Sequence, residues 1–158
     1  MRLIPALAAV ILVADQITKW WALRDLRFGE PVPVVDGLFS FTLVMNPGLA
    51  FGMLSGIPES VRWMVGLLSL GAVVVLALLA ARLLPTGGVW TRLALGLIFG
   101  GAVGNLIDRL RFGAVVDFLD FYWRSYHWPA FNVADSAITV GVTIIAIRML
   151  TDSAPTQA

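Results

Sequence analysis

Four apolar stretches, each close to twenty residues long, constrain this chain more than any other feature. A hydrocarbon core about 30 Å thick is crossed by about 20 helical residues, and within it only helices or closed barrels satisfy every backbone polar group. The stretches run from Leu3 to about Leu23, from Trp63 to Ala81, from Val89 to Ile107, and from about Val133 to Leu150. Of the 158 residues only 13% are charged and 59% are hydrophobic, whereas an average soluble domain carries about 25% charge. The expected fold is therefore an all-α membrane protein with four transmembrane helices, residues 1–158 forming one domain.

The first stretch also has the outline of a cleavable signal peptide, with basic Arg2 and small residues near Ala14. It stays apolar and aromatic through Trp20 and Trp21, however, which suits a helix that remains embedded. In the third stretch Gly96, Gly100 and Gly104 recur every four residues and lie near one stripe of a helix, where they permit close approach of a neighbour. Ala137 and Gly141 offer a similar stripe on the fourth.

Four spans joined in order bring the end of the first, the start of the second, the end of the third and the start of the fourth to one membrane face. That face collects Asp15, Lys19, Asn105, Asp108, Arg109, Asn132 and Asp135. The other face offers only Arg2, Arg82, Arg92, Arg148 and Asp152, widely spaced. Ionisable groups at membrane depth are costly and mark a site by default. Both long connections, about 24–60 and 108–131, open on the same face as the cluster. The first contains Leu38 to Met45, a run of strand-forming residues between Gly37 and the Asn46-Pro47-Gly48 turn, which predicts a small sheet. The second is dense in aromatic residues, as suits a membrane interface.

Elimination narrows the chemistry. There is no cysteine and one histidine, His127, so a cysteine nucleophile, a histidine-based zinc site and a Ser-His-Asp triad are hard to assemble. His127, between Tyr126 and Trp128, reads as an interfacial polar tip. A net charge of +1 gives no nucleic-acid surface. Carboxylates, the single lysine Lys19 and hydroxyls remain. Asp117 stands among apolar neighbours in Val115-Val116-Asp117-Phe118, and Asp135 stands at the head of the fourth span. Separately, one is a solvated loop acid and the other a helix cap. Together in a low-dielectric pocket, two carboxylates share a proton. The ionised member can then take a proton from water as the protonated one donates to a peptide carbonyl. A helix N-terminus beside Asp135 favours its anion.

Five segments carry a resemblance: Asp15-Gln16-Ile17-Thr18-Lys19, Asn46-Pro47-Gly48-Leu49-Ala50-Phe51-Gly52, Gly104-Asn105-Leu106-Ile107-Asp108-Arg109, Val115-Val116-Asp117-Phe118 and Phe131-Asn132-Val133-Ala134-Asp135. In this order and at these spacings the chain resembles the lipoprotein signal peptidases, also called signal peptidase II. The resemblance implies an aspartic endopeptidase of the bacterial inner membrane that needs no cofactor or metal. It would act on diacylglyceryl-modified prolipoproteins, cleaving just before the lipidated cysteine, with Asp117 and Asp135 catalytic. Asp15, Asn46, Gly48, Asn105, Arg109 and Asn132 would shape the site or hold substrate, while Asp108 would pair with Arg109 or cap a helix. Membrane lipid and globomycin-type cyclic peptide inhibitors are further expected partners. The resemblance also implies cytoplasmic termini, with the site and the β-rich subdomain facing outward. Basic residues oppose that orientation: Arg2, Arg82, Arg92 and Arg148 lie on the terminal side, against Lys19, Arg24, Arg27, Arg62, Arg109, Arg111 and Arg124 on the site side.

Three rival readings differ in class. A proton-coupled transporter or channel would use the intramembrane acids as a relay, but the second span is almost devoid of polar groups and offers no path across. A serine peptidase would use Lys19 with Ser136 or another serine. A structural subunit leaves the clustered acids unexplained.

Overall fold

The computed structural model describes residues 2–48, 60, 62–83 and 88–152. Four long helices carry the chain: α1 (Leu3–Asp25), α2 (Arg62–Leu83), α3 (Val89–Phe112) and α4 (Val133–Asp152). Each is long and apolar enough to cross a membrane. Between them lie β1 (Val32–Val35), β2 (Phe39–Asn46), β3 (Val115–Trp123) and β4 (Tyr126–His127). They form one antiparallel sheet in the order β1-β2-β3-β4.

Helix α3 is the centre of the bundle and packs against α1, α2 and α4. More than half of its apolar span is buried, whereas the other three helices turn most of their surface outward. The outward residues are large and apolar, among them Val10, Val13, Ile17, Leu67, Val75, Leu78 and Ile147. Such a surface is stable only when the solvent is lipid. Helix α1 runs unbroken through Trp20 and Trp21 and contributes buried Asp15 and Lys19, so it is an integral part of the bundle.

The glycine stripe of α3 is a helix contact. A Cβ at Gly100 would fall 2.7 Å from the Ala8 carbonyl oxygen, one at Gly96 would meet Leu7, and one at Gly104 would meet the Asp15 carboxylate. On α4, a Cβ at Gly141 would fall 2.7 Å from the Ala94 carbonyl oxygen. Gly101 belongs to the same system, since its Cβ position is filled by the Ala134 carbonyl, although its spacing sets it off the stripe.

Two boundaries differ from the sequence expectation. Helix α3 continues past Ile107 to Phe112 and stops at Gly113, whose φ of 67° returns its N–H to the Arg109 carbonyl. The extra turn is possible because Asp108 and Arg109 find partners inside the fold. Residues 108–131, expected as an aromatic interfacial loop, instead hold β3 and β4. Strand β3 escaped detection because Val115 through Phe118 are buried in succession, which erases the alternation that betrays a half-buried strand. Its pairing with β2 sets Asp117 opposite Val44 and Val115 opposite Asn46, with a bulge between Phe41 and Val44.

The aromatic residues divide between two roles. Trp21 meets Phe41 edge-on at 5.0 Å and Phe118 at 6.2 Å, and Phe39 lies 4.7 Å from Phe121. With Ala22, Leu26, Leu43 and Val116, the rings of Trp21, Phe41 and Phe118 form a small core that seats the sheet on the end of α1. Trp123, Tyr126 and Trp128 remain exposed, as an interfacial belt requires.

Candidate active site

The site is built outward from one buried cation. Lys19 is 2% exposed, and its Nζ lies 2.9 Å from Asp15 Oδ2 and 2.8 Å from Asp108 Oδ2. It also donates to Asn105 Oδ1 at 2.8 Å. Three acceptors use the three hydrogens of the ammonium group. Gln16 Nε2 closes the group, donating to Asp15 Oδ2, to Asp108 Oδ1 and to the Gly104 carbonyl at 3.1–3.3 Å. Asp108 therefore pairs with Lys19 rather than Arg109, the expected partner, because its side chain turns back into the bundle toward α1. The Ser136 hydroxyl donates to the Asn132 carbonyl at 3.0 Å, away from Lys19. A serine–lysine pair is not assembled there.

Two amides connect this cluster to the two candidate catalytic acids. Asn105 receives Lys19 on its oxygen and donates through Nδ2 to Asp135 Oδ1 at 2.8 Å. Asn132 Nδ2 donates to Asp117 Oδ1 at 2.7 Å, with longer approaches of 3.2 Å to Asn105 Oδ1 and the Val116 carbonyl. Asn132 also caps α4. Its Oδ1 accepts the Asp135 N–H at 2.9 Å, and Asp135 Oδ2 accepts the Asn132 N–H at 3.3 Å. This reciprocal arrangement is a capping box with an acid in the third helical position. The capping role foreseen for Asp135 thus coexists with a place in the site, one oxygen serving the helix and the other Asn105.

The remaining expected residues converge on the same place. Asn46, at the end of β2, donates through Nδ2 to Asp117 Oδ2 at 3.1 Å, and its own Oδ1 accepts the Gly48 N–H at 3.0 Å. Arg109 donates from Nη2 to the Gly48 carbonyl at 3.0 Å, while its buried Nε has no hydrogen-bond partner among the described residues. Leu49, Ala50, Phe51 and Gly52 lie outside the described residues.

Asp117 is 1% exposed. Burial pushes its carboxyl up to about 7, and the adjacent Asp135 charge adds to the rise; Asn46, Asn132 and the Lys19 ammonium oppose it. Both acids open on one cavity of about 1000 Å³. From Asp117, Asp135 and Arg109 it continues as a groove over α3, walled by Leu68, Ala72 and Leu76 of α2 and by Ile138 and Val142 of α4. The hydroxyls on these walls, Ser69, Ser136, Thr139 and Thr143, each donate to a backbone carbonyl four residues earlier at 2.8–3.0 Å, so the groove is chemically apolar.

A second polar group went unrecognised in the sequence. Asp120, nearly buried in β3, accepts from Ser40, from Thr42 and, at 2.9 Å, from His127 Nδ1. His127 also stacks on Tyr122 at 5.1 Å, so this half-exposed polar tip ties the sheet together as well. The registers of β2 and β4 on β3, invisible in a single sequence, bring these residues together.

A bundle of membrane-spanning helices that holds two carboxylates on amide side chains at the head of an apolar groove defines a class: integral-membrane proteins with a two-carboxylate cluster. The comparisons make the assignment particular. The family model described as signal peptidase (SPase) II matches residues 7–151. The chain is 46% identical over 151 residues to the lipoprotein signal peptidase of Geobacter metallireducens, covering 96% of this chain and 92% of that one. It is 47% identical over 146 residues to that of Nostoc punctiforme, covering 92% and 88%. Among solved structures, a bacterial membrane enzyme determined by the in meso method at 2.3 Å resolution superimposes with a TM-score of 0.77 at 31% identity, covering 96% and 90% of the two chains. A second, at 1.9 Å, gives 0.76 at 28% identity, covering 94% and 92%. The chain belongs to the signal peptidase II family, and by that membership it is a protease. The transporter reading has no support in these relationships.

Proposed function

We propose that this chain is an aspartic endopeptidase that removes the signal peptide from diacylglyceryl-modified prolipoproteins, cutting just before the lipidated cysteine, with Asp117 and Asp135 as the acid–base pair. The observation that carries this reading is the pair itself: buried Asp117 and half-buried Asp135, linked through Asn132, on one cavity. The pair titrates as a unit and holds one proton near neutrality. Asp117, held up to about 7, keeps that proton. The N-terminus of α4 beside Asp135 favours its anion, which makes Asp135 the general base in this reading. Water between them is deprotonated by Asp135 as it attacks the scissile carbonyl, and Asp117 donates to the carbonyl oxygen. The resulting gem-diol collapses as the C–N bond breaks: the leaving amine takes the proton from Asp135, and one hydroxyl returns its proton to Asp117 as the new carboxyl forms. No metal or covalent intermediate is required.

The groove between α2 and α4 suits the apolar segment of a signal peptide arriving from lipid. Arg109 Nε, buried and without a partner among the described residues, is placed to bind a substrate carbonyl beside the acids. Asn46 and Gly48 shape that rim, and globomycin-type peptides are expected to compete for it. The test is cleavage of a diacylglyceryl-modified prolipoprotein by purified wild type, Asp117→Asn and Asp135→Asn. Loss of at least about 100-fold in both folded variants is expected. Wild-type turnover in either one defeats the pairing.

For orientation we place both termini in the cytoplasm of a bacterium and the site outside its inner membrane. Two basic residues counted on the site side, Lys19 and Arg109, are occupied within the fold, which narrows the excess that argued the other way. Because the chain has no cysteine, single cysteines at Ser125, in the β3–β4 turn, and at Thr86, which lies outside the described residues between α2 and α3, report the two sides. An impermeant thiol reagent is expected to label position 125 alone in intact cells; labelling of position 86 alone reverses the orientation.

A further inference from the structure

Lys19 is buried between two carboxylates, Asp15 and Asp108. A buried ion cluster of this kind contributes little net stability compared with well-packed apolar side chains, so fold maintenance alone does not account for it. Its second attachments are informative. Asp15 Oδ1 accepts the N–H of Ala134 at 2.9 Å, one residue before Asp135. Asp108 Oδ2 accepts the N–H of Val116 at 3.1 Å, one residue before Asp117. Each acid beside Lys19 thus holds the backbone next to one member of the pair.

A third connection runs through side chains. Because the Lys19 ammonium faces Asn105 Oδ1 at 2.8 Å, the Asn105 amide is fixed with its NH2 toward Asp135. Without that cation the amide can turn over and present an oxygen to a carboxylate. Asn105 Oδ1 also receives Asn132 Nδ2, the group that holds Asp117. The Lys19 nitrogen thus joins α1 to α3 directly, and reaches α4 and β3 through the second oxygen contacts of Asp15 and Asp108.

We propose that Lys19 is a positioning residue for the hydrolysis, the hub that sets the separation of the Asp117 and Asp135 carboxylates and the orientation of the Asn105 amide. The inference rests on the reading of those two acids as the catalytic pair. Lys19 does not touch substrate, and its three hydrogens are already engaged. Its effect reaches the reacting atoms through geometry, where a misplacement of about 1 Å costs up to about 100-fold, and through charge. The charged groups facing Asp117 are Asp135 from α4, Arg109 from α3 and Lys19 from α1, with the Asn46 amide from β2. Removing the ammonium leaves Arg109 as the one cation of that set, so the proton on the pair is held to higher pH.

The test uses the full chain, purified in detergent, with diacylglyceryl-modified prolipoprotein as substrate. Lys19→Met, Lys19→Arg, Asp108→Asn, Asp117→Asn and Asp135→Asn are compared, with folding checked by far-ultraviolet circular dichroism and elution volume. For folded Lys19→Met the expected result is a kcat loss of roughly 10- to 100-fold, a KM within about twofold of wild type, and an alkaline limb of the kcat–pH profile displaced upward. Lys19→Arg, which keeps the charge, is expected to hold the limb in place and recover part of kcat. Wild-type kcat and pH profile in folded Lys19→Met overturn the proposal. So does a loss in which KM rises in step and the limb stays still. Should Lys19→Met fail to fold, Asp108→Asn decides: a kcat loss at constant KM upholds the hub, and wild-type turnover overturns it. The variants of Asp117 and Asp135 report separately on the pair, so full activity in either one would sink the catalytic assignment and not be confused with a failure of the hub.

Discussion

At the scale of single residues, the site depends on amide side chains that cannot ionise. Asn46, Asn105 and Asn132 make four hydrogen bonds to carboxylates or to one another without adding charge to an already crowded pocket. A third acid in any of these places would add a repulsive charge to the pair. The raised pKa of Asp117 has two consequences with definite signs. Hydrolysis requires the shared proton, so kcat/KM should fall through an alkaline limb near pH 7, which a pH–rate profile will show. Stability should also respond. An acid whose folded pKa is raised holds an extra proton in the folded state between its unfolded value, about 4, and its folded value, about 7, so stability falls as pH rises through that window. The wild-type unfolding midpoint in detergent is therefore expected to drop by several °C from about pH 4 to about pH 8, and Asp117→Asn to flatten that slope.

At the scale of elements, small residues decide how closely backbones approach, and backbone approach decides where the acids sit. Gly104 is the sharpest case, because the space its Cβ would fill is held by the Asp15 carboxylate. Gly104→Ala must displace Asp15, which loosens the Ala134 N–H and with it the first turn of α4. An activity loss of at least about 10-fold and a destabilisation of about 1–3 kcal/mol are expected from the overpacking, measured by cleavage rate and thermal unfolding. Gly71, on α2, has nothing within 4 Å of its Cβ position, so Gly71→Ala should leave both quantities at wild type. The capping box of Asn132 and Asp135 is the same principle in another form, since the residues that start α4 also present one of the acids.

At the scale of the whole molecule, α2 is set apart from the rest. It packs on α3, and between it and α4 the apolar groove runs from the lipid-facing surface to the acids. Filling that groove should hinder entry without touching the chemistry. Ala72 lines it well away from the polar group, so Ala72→Trp is expected to raise KM about 10-fold or more while kcat changes by less than about threefold. An equal fall of kcat at constant KM would instead place the constriction at the acids.

The four helices were legible in the sequence because lipid demands length and apolarity from each span separately, and no neighbour is needed to meet that demand. The shared face of Asp15, Lys19, Asn105, Asn132 and Asp135 followed from counting crossings, and the pairing of Asp117 with Asp135 from chemistry that the chain's composition left open. Strand β3 was hidden because burial on both of its faces removes the period-two signal. Asp108 differs for a related reason: proximity along the chain points to Arg109 or a helix end, while the close approach of α1 to α3 across glycine supplies Lys19. Apolar spans and their order are properties of local composition. Which carboxylate meets which ammonium, and which amide is turned toward which acid, depends on contacts between residues as far apart as Asp15 and Ala134, and only the packed bundle decides them.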